Sequence, residues 1–456
     1  MKKFNKGKKV TIEHYESENE DNKDQIISQT EQIKKKKEDI NQEEIKPTTT
    51  INTDFRFELK NGRVGQEYSD ELDFNKMIFS GKINRIFVDG LDQVGGLQFN
   101  EEKKMIQGAP VNAGKPEENY EFTIEFRVET DKEQVEKREV SIKILPDPKF
   151  LWKEIEPEDK SDPKDHNYSK ILKFKESSGN VDKEKVRTIV AASKRGRSQA
   201  HKGSYRADHV VIEHLYDNGW SVLAVADGAV AKLSRVGSHI ACEKSVDIIK
   251  ANIDTINEKV LINSLKSHNK NNVEKMLNNI LCKAAFEAIK AIQVEATKRK
   301  MTTRDFHTTL LLAIYKDLQV GKFFAGFWVG DGALAIYDDN KKKVNPLGIS
   351  DGGEVGGAAK FITENEIMNY EIKLYHHVSY HYCNDFTALF AMTDGVSDPK
   401  LTKNYNLFDV SNWEKLWEEI EDNVLKKGNN YDFNLLDWLD FWSEGSHDDR
   451  TIAILF

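Results

Sequence analysis

Four acidic segments, far apart in the 456-residue chain, constrain its fold and chemistry more than any other feature. Three of them end an apolar run with an Asp-Gly pair, and the fourth leads directly into the apolar residues 452–456. Short apolar runs that stop at Asp-Gly are typical of buried strands that end in tight loops. The four segments are residues 224–228, 329–332, 392–398 and 445–451. We expect these loops to turn their carboxylates towards a common site.

Carboxylates that converge in this way repel one another unless cations lie among them. Hard divalent cations such as Mg²⁺ or Mn²⁺ prefer an all-oxygen set of ligands. A single Asp-Gly pair is typical of an ordinary turn, so the prediction depends on the combination of the four segments. The sequence therefore predicts a metal centre built from carboxylates.

The composition sets the outer bounds of function. A formal net charge of −9 gives no global case for nucleic-acid binding. The three cysteines have no paired spacing, which argues against a disulfide framework and against a thiolate zinc site. The basic first nine residues lack the apolar stretch of a signal peptide, and no later segment is apolar for long enough to span a bilayer. We expect a soluble, cytoplasmic protein with no nucleic-acid or membrane partner.

The first half of the chain divides into three zones. Residues 1–50 are charged and polar with few apolar positions, which predicts a disordered charged tail. Residues 51–146 carry short alternating segments that predict a small all-β sandwich, and their glycine pattern resembles the cadherin-like, immunoglobulin-type modules of bacterial multidomain proteins. We expect this module to be a recognition or spacer element without catalysis. Prolines interspersed with charge predict a linker over residues 147–186.

Residues 187–456 mix strand-like runs with amphipathic helices. Apolar residues recur at helical spacing over residues 240–256 and 271–296, which is typical of helices that face a core. Strands are predicted at residues 210–212, 220–225, 308–314, 323–329, 333–337, 386–392 and 451–455.

The order and context of the acidic segments resemble the metal-dependent Ser/Thr protein phosphatases of the type-2C family. The resemblance covers roughly residues 189–456. It is carried by residues 195–198 and 201–208, the Asp227-Gly228 loop, residues 306–314, 330–332 and 394–398, and Asp448-Asp449, where the family usually has Asp-Asn. It implies an α+β fold, an antiparallel β-sandwich flanked by helices (α-β-β-α), with the metals at one end.

The resemblance also implies the ligands of two Mg²⁺ or Mn²⁺ ions. Asp227 would bridge the two ions, and the Gly228 carbonyl would bind one of them. Asp394 and Asp448 would complete the carboxylate set of one ion. Asp208 would hold the second ion through water.

Two further positions match places where the family binds a third, weaker metal. These positions are Asp331 and Asp398. The family also has a basic phosphate-binding residue ahead of its acidic pair, and Arg206 is the first choice here, with Lys202 and Arg197 as substitutes. If a strand runs through this segment, Arg206 and Asp208 lie on one face of it.

The sequence departs from the family at two positions that bear on activity. Ala207 stands where the family has the first carboxylate of its acidic pair. Ala229 follows Asp227-Gly228, where many members have a histidine that protonates the leaving group. Loss of a general acid typically costs about 10²–10⁴ in rate.

Two functions therefore remain open. The first is hydrolysis of phosphoserine or phosphothreonine in a phosphoprotein by a metal-activated water. The second is a catalytically weakened module that binds a phosphoprotein or a Ser/Thr kinase as a scaffold. Three converging carboxylates favour the enzyme, because a scaffold has no physical need for them, whereas Ala207 and Ala229 favour the scaffold.

The histidines near these motifs are interpreted as structural. Five of them lack the His-x-x-x-His spacing of a zinc-binding helix. They are His201, His209, His214, His239 and His307. His377 and His381 have that spacing but lie in a stretch whose aromatic and β-branched content favours a strand. The glycine-rich residues 351–357 are predicted to form a mobile flap near the site.

Overall fold

The computed structural model describes residues 59–72, 74, 82–132, 135–158, 166–176, 185–229, 233–348, 360–364, 374–401 and 407–456. The tail predicted over residues 1–50 and the flap predicted over residues 351–357 lie outside them. The chain divides into two compact units, Met1–Pro146 and Asp147–Phe456. No helix in the described ranges is long and apolar enough to cross a membrane.

The first unit contains two small sheets around one apolar cluster. Its elements are β1 (Gly62–Arg63), β2 (Tyr68–Glu71), β3 (Ile83–Asp89), α1 (Leu91–Val94), β4 (Leu97–Asn100), β5 (Met105–Gly108), β6 (Glu121–Thr130) and β7 (Val135–Leu145). The sheets have the orders β1-β7-β6-β3 and β2-β5-β4. Ile106 of one sheet and Phe126 and Ile142 of the other are fully buried in the shared cluster. The immunoglobulin-type assignment of this unit stays a prediction.

The second unit is built on two antiparallel sheets. Its strands are β8 (Asn167–Lys175), β9 (Val186–Lys194), β10 (His209–Leu215), β11 (Trp220–Ala226), β12 (Leu310–Leu318), β13 (Gly321–Val329), β14 (Ala333–Asp338), β15 (Lys343–Pro346), β16 (Val378–Cys383), β17 (Ala388–Met392) and β18 (Arg450–Leu455). One sheet has the order β10-β11-β12-β13-β16, and the other has the order β15-β14-β17-β18-β9-β8.

Helices follow or connect these strands. They are α2 (Arg197–His201), α3 (Ser234–Asn252), α4 (Glu258–Lys266), α5 (Lys270–Leu277), α6 (Lys283–Lys298), α7 (Asp394–Leu401), α8 (Val410–Ile420) and α9 (Tyr431–Trp438). A π-helical turn, Asn278–Cys282, joins α5 to α6, so the predicted helix over residues 271–296 is one continuous helical segment. The prediction of a mixed α+β fold is confirmed.

The alternation of side chains along β11 shows how the layers pack. Val222 and Ala224 belong to an apolar cluster that includes residues of α3 and α6. Leu223 and Val225 point the other way and join a cluster with residues of the six-stranded sheet. Successive strand side chains alternate between faces, so the five-stranded sheet packs on helices with one face and on the second sheet with the other. Trp413 of α8 is fully buried in the cluster of the six-stranded sheet.

Part of the predicted linker over residues 147–186 is a strand of the second unit. β8 pairs antiparallel with β9 along its whole length. Phe174 of β8 is 5% exposed, and its ring stacks on His214 with 3.9 Å between centroids. β8 is an edge strand rich in lysine, so its sequence lacks the apolar density by which the other strands were recognised. The second unit consequently begins near Asp147 rather than at residue 187.

A buried ion network joins the two sheets at the end where β8 finishes and β9 begins. The Glu176 carboxylate accepts hydrogen bonds from Arg187 Nε at 2.5 Å, Lys322 Nζ at 2.7 Å and the Tyr315 hydroxyl at 2.7 Å. Lys322 also donates to Asp317 at 2.7 Å. The side chains of Glu176 and Arg187 are 1% and 2% exposed. Arg187 comes from the six-stranded sheet and Lys322 from the other, so Glu176 connects the two layers.

We expect Glu176→Ala to lower the free energy of unfolding of the second unit by about 3–5 kcal/mol, because it leaves Arg187 and Lys322 buried without their shared counter-ion. Urea unfolding followed by tryptophan fluorescence measures this, since all seven tryptophans lie after residue 147. Glu287→Ala is the matched control. Glu287 pairs with Lys290 at the surface, where their side chains are 32% and 49% exposed and such pairs contribute about 0–1 kcal/mol. Equal losses in the two variants would contradict a structural role for the network.

The loss of stability in Glu176→Ala is also expected to depend on pH. Burial raises the pKa of Glu176, but hydrogen bonds from Lys322, Arg187 and Tyr315 outweigh it and hold the pKa below its ordinary value of 4.5. A carboxyl whose folded pKa is lowered contributes stability that is present above its unfolded pKa and is lost as pH falls through the folded value. The gap in unfolding free energy between wild type and Glu176→Ala should therefore be constant near neutral pH and shrink below about pH 4.5.

Candidate metal centre

The acidic segments meet where strands of both sheets end. Asp227 follows β11, Asp331 lies between β13 and β14, and Asp394 begins α7 directly after β17. Asp448 comes two residues before β18. Asp208 precedes β10, and because β10 pairs antiparallel with β11, it comes next to Asp227. The apolar runs thus bring together carboxylates that are up to 240 positions apart in the sequence.

Three of these carboxylates are close enough to share an ion. Asp227, Asp331 and Asp394 each offer one carboxylate oxygen, and these oxygens all lie within 4.8 Å of one another. These three aspartates are called the close group. Asp208 lies beside Asp227 at the end of the β10-β11 pair, and it accepts a hydrogen bond from the Thr393 hydroxyl at 2.8 Å. The three aspartates of the close group are partly exposed, whereas Asp208 is 3% exposed.

The protonation equilibria of this group show the repulsion that a cation would relieve. Burial, followed by the charges of neighbouring carboxylates, raises the pKa of Asp227 and of Asp394 well above the ordinary value of 3.8. Burial also raises the pKa of Asp208 to about 6, and the charge of Asp448 adds to this. A divalent cation among these oxygens would favour the ionised carboxylates. The all-oxygen donor set fits Mg²⁺ or Mn²⁺.

The backbone of the Asp227 loop is held by two threonines. Thr308 Oγ1 donates to the Asp227 carbonyl at 2.8 Å, and the Asp227 amide donates to Thr309 Oγ1 at 2.8 Å. A Cβ atom added at Gly228 would lie 2.6 Å from the carbonyl oxygen of Ala207, so only glycine fits there. These contacts fix the position from which Asp227 projects. Metal binding by the Gly228 carbonyl stays a prediction.

Asp449 organises the loops around the site, a role that the sequence analysis missed. Its buried carboxylate accepts hydrogen bonds from the amide of Gly196 at 2.6 Å and from the amide of Ala207 at 2.5 Å. A Cβ atom added at Gly395 would lie 1.8 Å from the Asp449 carbonyl oxygen. Asp449 therefore ties the segment ahead of Asp208 to the start of β18. The sequence signal was an aspartate at a position where the family usually has asparagine.

Asp448 and Asp398 lie near the close group but outside it. Asp448 Oδ1 accepts hydrogen bonds from the Gln199 side-chain amide and from the Asp449 amide. Its charge raises the pKa of Asp208, Asp227 and Asp394, which shows that it lies close to all three. Asp398 is one helical turn after Asp394 on α7, and its charge also raises the pKa of Asp394. Metal binding by Asp448 and Asp398 stays a prediction.

The basic residues ahead of Asp208 do not share a strand with it. β10 begins at His209, so the expected alternation of Arg206 and Asp208 along one strand is wrong. The Arg206 guanidinium is buried and donates to the carbonyl of Ser193 at 3.3 Å. Its contact with phosphate stays a prediction.

The two substitutes for Arg206 are in different states. Arg197 donates to the carbonyl and the carboxylate of Asp440 at 3.0 and 3.1 Å. Lys202 is exposed, and within the described part of the chain its ammonium has no hydrogen-bond or ion-pair partner. Lys202 is therefore the most available cation of the three.

A short segment from the predicted linker borders the site. The Trp152 ring lies 4.4 Å from that of His447 and 5.5 Å from that of His201, measured between centroids. Arg195 Nη2 donates to the Ile155 carbonyl at 2.5 Å. The segment thus packs beside α2 and the loop of Asp448. The prolines and charged residues of this segment are typical of a linker, so the sequence did not predict its packing beside the site.

His307 lies beside the position where the family's histidine is absent. The Ala229 amide donates to the His307 carbonyl at 3.1 Å. The His307 ring stacks on Phe361, and its Nδ1 is 2.6 Å from Thr363 Oγ1. Burial lowers its pKa. By contrast, His381 lies within β16, which confirms the strand interpretation there, whereas His377 ends a short 3-10 turn, Tyr375–His377, just before that strand.

A sequence model described as Protein phosphatase 2C matches residues 195–440. The chain belongs to the protein phosphatase 2C family. The matched part includes Asp208, Asp227, Asp331 and Asp394, and it ends before Asp448. No curated protein matches the chain.

Several solved phosphatase structures are similar to this phosphatase 2C chain at low identity. The phosphatase domain of SpoIIE from Bacillus subtilis has 14% identity and a TM-score of 0.29, over 64% of this chain and 93% of that one. The catalytic domain of the serine/threonine phosphatase PstP, in complex with two manganese ions, has 15% identity and a TM-score of 0.34, over 59% and 97%. RsbX in complex with magnesium has 12% identity and a TM-score of 0.32, over 62% and 98%. The family assignment rests on the sequence model alone.

We expect Asp227→Asn to weaken Mn²⁺ binding to this phosphatase 2C domain by at least about tenfold, because it removes an anionic oxygen from the centre of the close group. Isothermal titration calorimetry of the full chain with Mn²⁺ measures this. Asp217→Asn is the matched control, since Asp217 is exposed in the turn at the opposite end of the β10-β11 hairpin. Equal affinity and stoichiometry in wild type and Asp227→Asn would rule out Asp227 as a ligand.

Proposed function

We propose that the second unit hydrolyses phosphoserine and phosphothreonine in proteins, with two Mg²⁺ or Mn²⁺ ions as cofactors. The observation that carries this proposal is the group of Asp227, Asp331 and Asp394, whose oxygens lie within 4.8 Å of one another. A binding module has no physical need to bring three carboxylates together at the ends of separate strands. The neighbouring phosphatases whose structures contain manganese or magnesium support the choice of ions.

The residues of the chain would act mainly by holding and positioning. Bound divalent ions would acidify a water and neutralise the charge of the phosphoryl group. Asp227 would bridge the ions, with Asp394 and Asp448 beside it, and Thr308 and Thr309 would hold the Asp227 loop rigid. Rigid support matters because small displacements of reacting groups are costly in rate.

The Asp208 carboxylate would position the water through a hydrogen bond. The Thr393 hydroxyl donates to Asp208 and limits its rotation. Asp331 and Asp398 would hold a third, weaker ion. The Asp331 carboxylate belongs to the close group, so it would hold this ion near Asp227 and Asp394.

Substrate binding would involve the basic residues of the segment ahead of Asp208. The phosphate of a phosphoprotein carries negative charge, and a guanidinium or ammonium gives a charge-assisted contact. Arg206 is the residue proposed for this contact, with Lys202 and Arg197 as the alternatives. The first unit, Met1–Pro146, would bind the phosphoprotein or a Ser/Thr kinase that acts on it. Without the family's histidine after Gly228, we expect slow turnover.

The alternative function is that of a scaffold that binds a phosphoprotein or a Ser/Thr kinase without efficient turnover. Two specific observations favour it. Ala207 and Ala229 lack the side chains that the family uses for chemistry. The Arg206 guanidinium is engaged with the backbone of Ser193. Turnover separates the two functions directly.

We expect the wild-type chain to hydrolyse p-nitrophenyl phosphate and phosphothreonine peptides in the presence of Mn²⁺ and not in its absence. Asp394→Asn should lower kcat/KM by at least about 100-fold, because a group that stabilises developing charge typically contributes on the order of 10²–10³ in rate. Steady-state kinetics with added and chelated Mn²⁺ measure this, with Asp217→Asn as the control. Phosphopeptide binding by a wild-type chain that shows no Mn²⁺-dependent turnover would establish the scaffold instead.

We expect Arg206→Ala chiefly to raise KM, because it removes a charge-assisted contact with phosphate, and Asp208→Asn chiefly to lower kcat. Kinetics at saturating Mn²⁺ separate the two effects. Lys298→Ala, an exposed lysine on α6, is the control for a general loss of positive charge. If Arg206→Ala leaves both constants unchanged while Lys202→Ala or Arg197→Ala raises KM, the phosphate contact belongs to that residue.

A further inference from the structure

Two histidines and a glutamate converge where the start of β10 packs on α3. His209 is the first residue of β10, and His239 and Glu243 lie one helical turn apart on α3. Each offers one ligand atom, and these atoms all lie within 4.8 Å of one another. The two histidines are 30 positions apart in the sequence and meet only through the packing of α3 on β10.

The spacing of the ligand atoms fits a tetrahedral ion. His209 Nε2 lies 3.2 Å from Glu243 Oε1, and the centroids of the His209 and His239 rings are 4.4 Å apart. An ion that binds nitrogen and oxygen at about 2.0–2.1 Å with tetrahedral angles separates two ligand atoms by about 3.3 Å. The distance between His209 and Glu243 therefore matches without movement of the backbone.

The ligand types distinguish this group from the carboxylate centre, which is the site formed by the close group and the aspartates around it. Imidazole nitrogens favour Zn²⁺ and similar borderline ions, whereas Mg²⁺ and Mn²⁺ favour oxygen ligands. Two imidazoles with one carboxylate, and a water at the fourth position, make a complete zinc coordination sphere. The two sites should thus take different ions from the same solution.

Access and rigidity also suit an ion site. The Glu243 side chain is 49% exposed and that of His209 is 9% exposed, so an ion can enter from solvent on the Glu243 side. His209 is held in the β10-β11 ladder opposite Ala226. The Ser238 hydroxyl on α3 donates to the carbonyl of Ala207, which ties the helix to the same segment.

We propose that His209, His239 and Glu243 form a second metal site that binds Zn²⁺ or a similar borderline divalent ion, apart from the carboxylate centre. The ion would join the start of β10 to α3 immediately beside Asp208. This site does not depend on the proposed phosphatase activity. His209 Nε2 lies within hydrogen-bond distance of Glu243 Oε1, and this contact lowers the pKa of Glu243.

The test is titration of the full chain with Zn²⁺ and with Co²⁺ in an excess of Mg²⁺, which competes for the all-oxygen site. Calorimetry should detect one equivalent of Zn²⁺, and Co²⁺ should give the intense visible absorption of a tetrahedral site. His239→Ala and Glu243→Gln should each weaken Zn²⁺ binding by at least about tenfold and remove the Co²⁺ band. Tryptophan fluorescence verifies that both variants are folded.

Two controls make the result specific. His376→Ala removes an exposed imidazole from elsewhere in the second unit and should leave Zn²⁺ binding unchanged. Asp394→Asn disturbs the carboxylate centre and should also leave it unchanged. The proposal is overturned if wild type gives no Co²⁺ band and no Zn²⁺ heat in excess Mg²⁺. It is equally overturned if Asp394→Asn abolishes Zn²⁺ binding while His239→Ala retains it.

Discussion

Mutual repulsion among carboxylates is the physical constraint on the end of the second unit where the acidic segments meet. Asp208 and Asp449 are almost fully buried, and Asp227 and Asp394 lie beside them. Burial and neighbouring charge both disfavour ionised aspartates. Backbone amides and hydroxyl groups offset part of this cost, and divalent ions are the counter-charge that would offset the rest. The chemistry of the site follows from that need for cations.

Mutually repelling aspartates stay close together only if the loops that carry them cannot move apart. The antiparallel ladders fix where each strand ends, and close contacts at Gly228 and Gly395 leave no room for a side chain between the loops. At the other end of the sheets, Glu176 joins both layers through Arg187 and Lys322. At the Glu176 end of the sheets, basic side chains of the chain itself balance the negative charge. At the other end, divalent ions would balance the charge of the aspartates.

The sequence predicted what depends on local pattern and missed what depends on tertiary contact. Short apolar runs located most strands of the second unit, and those that stop at Asp-Gly located the loops of Asp227, Asp331 and Asp394, because buried strands and tight turns have strong local signals. The local sequence signals are weak for the lysine-rich edge strand β8 and for the packing of Trp152. The role of Asp449 and the meeting of His209 with His239 depend on distances that only the folded chain creates. Residue type alone does not reveal which polar groups become neighbours.

Two differences from the family pattern, at Ala207 and at Asp449, are physically linked. Ala207 lacks a carboxylate that the family has, and Asp449 carries one where the family usually has asparagine. The two positions are in contact, since the Ala207 amide donates to Asp449 Oδ2. The second oxygen of Asp449 accepts from Gly196, so both oxygens are used in a way that an asparagine amide cannot reproduce. The buried Asp449 carboxylate therefore fixes the backbone at Gly196 and at Ala207, and it places one further acidic group beside Asp208.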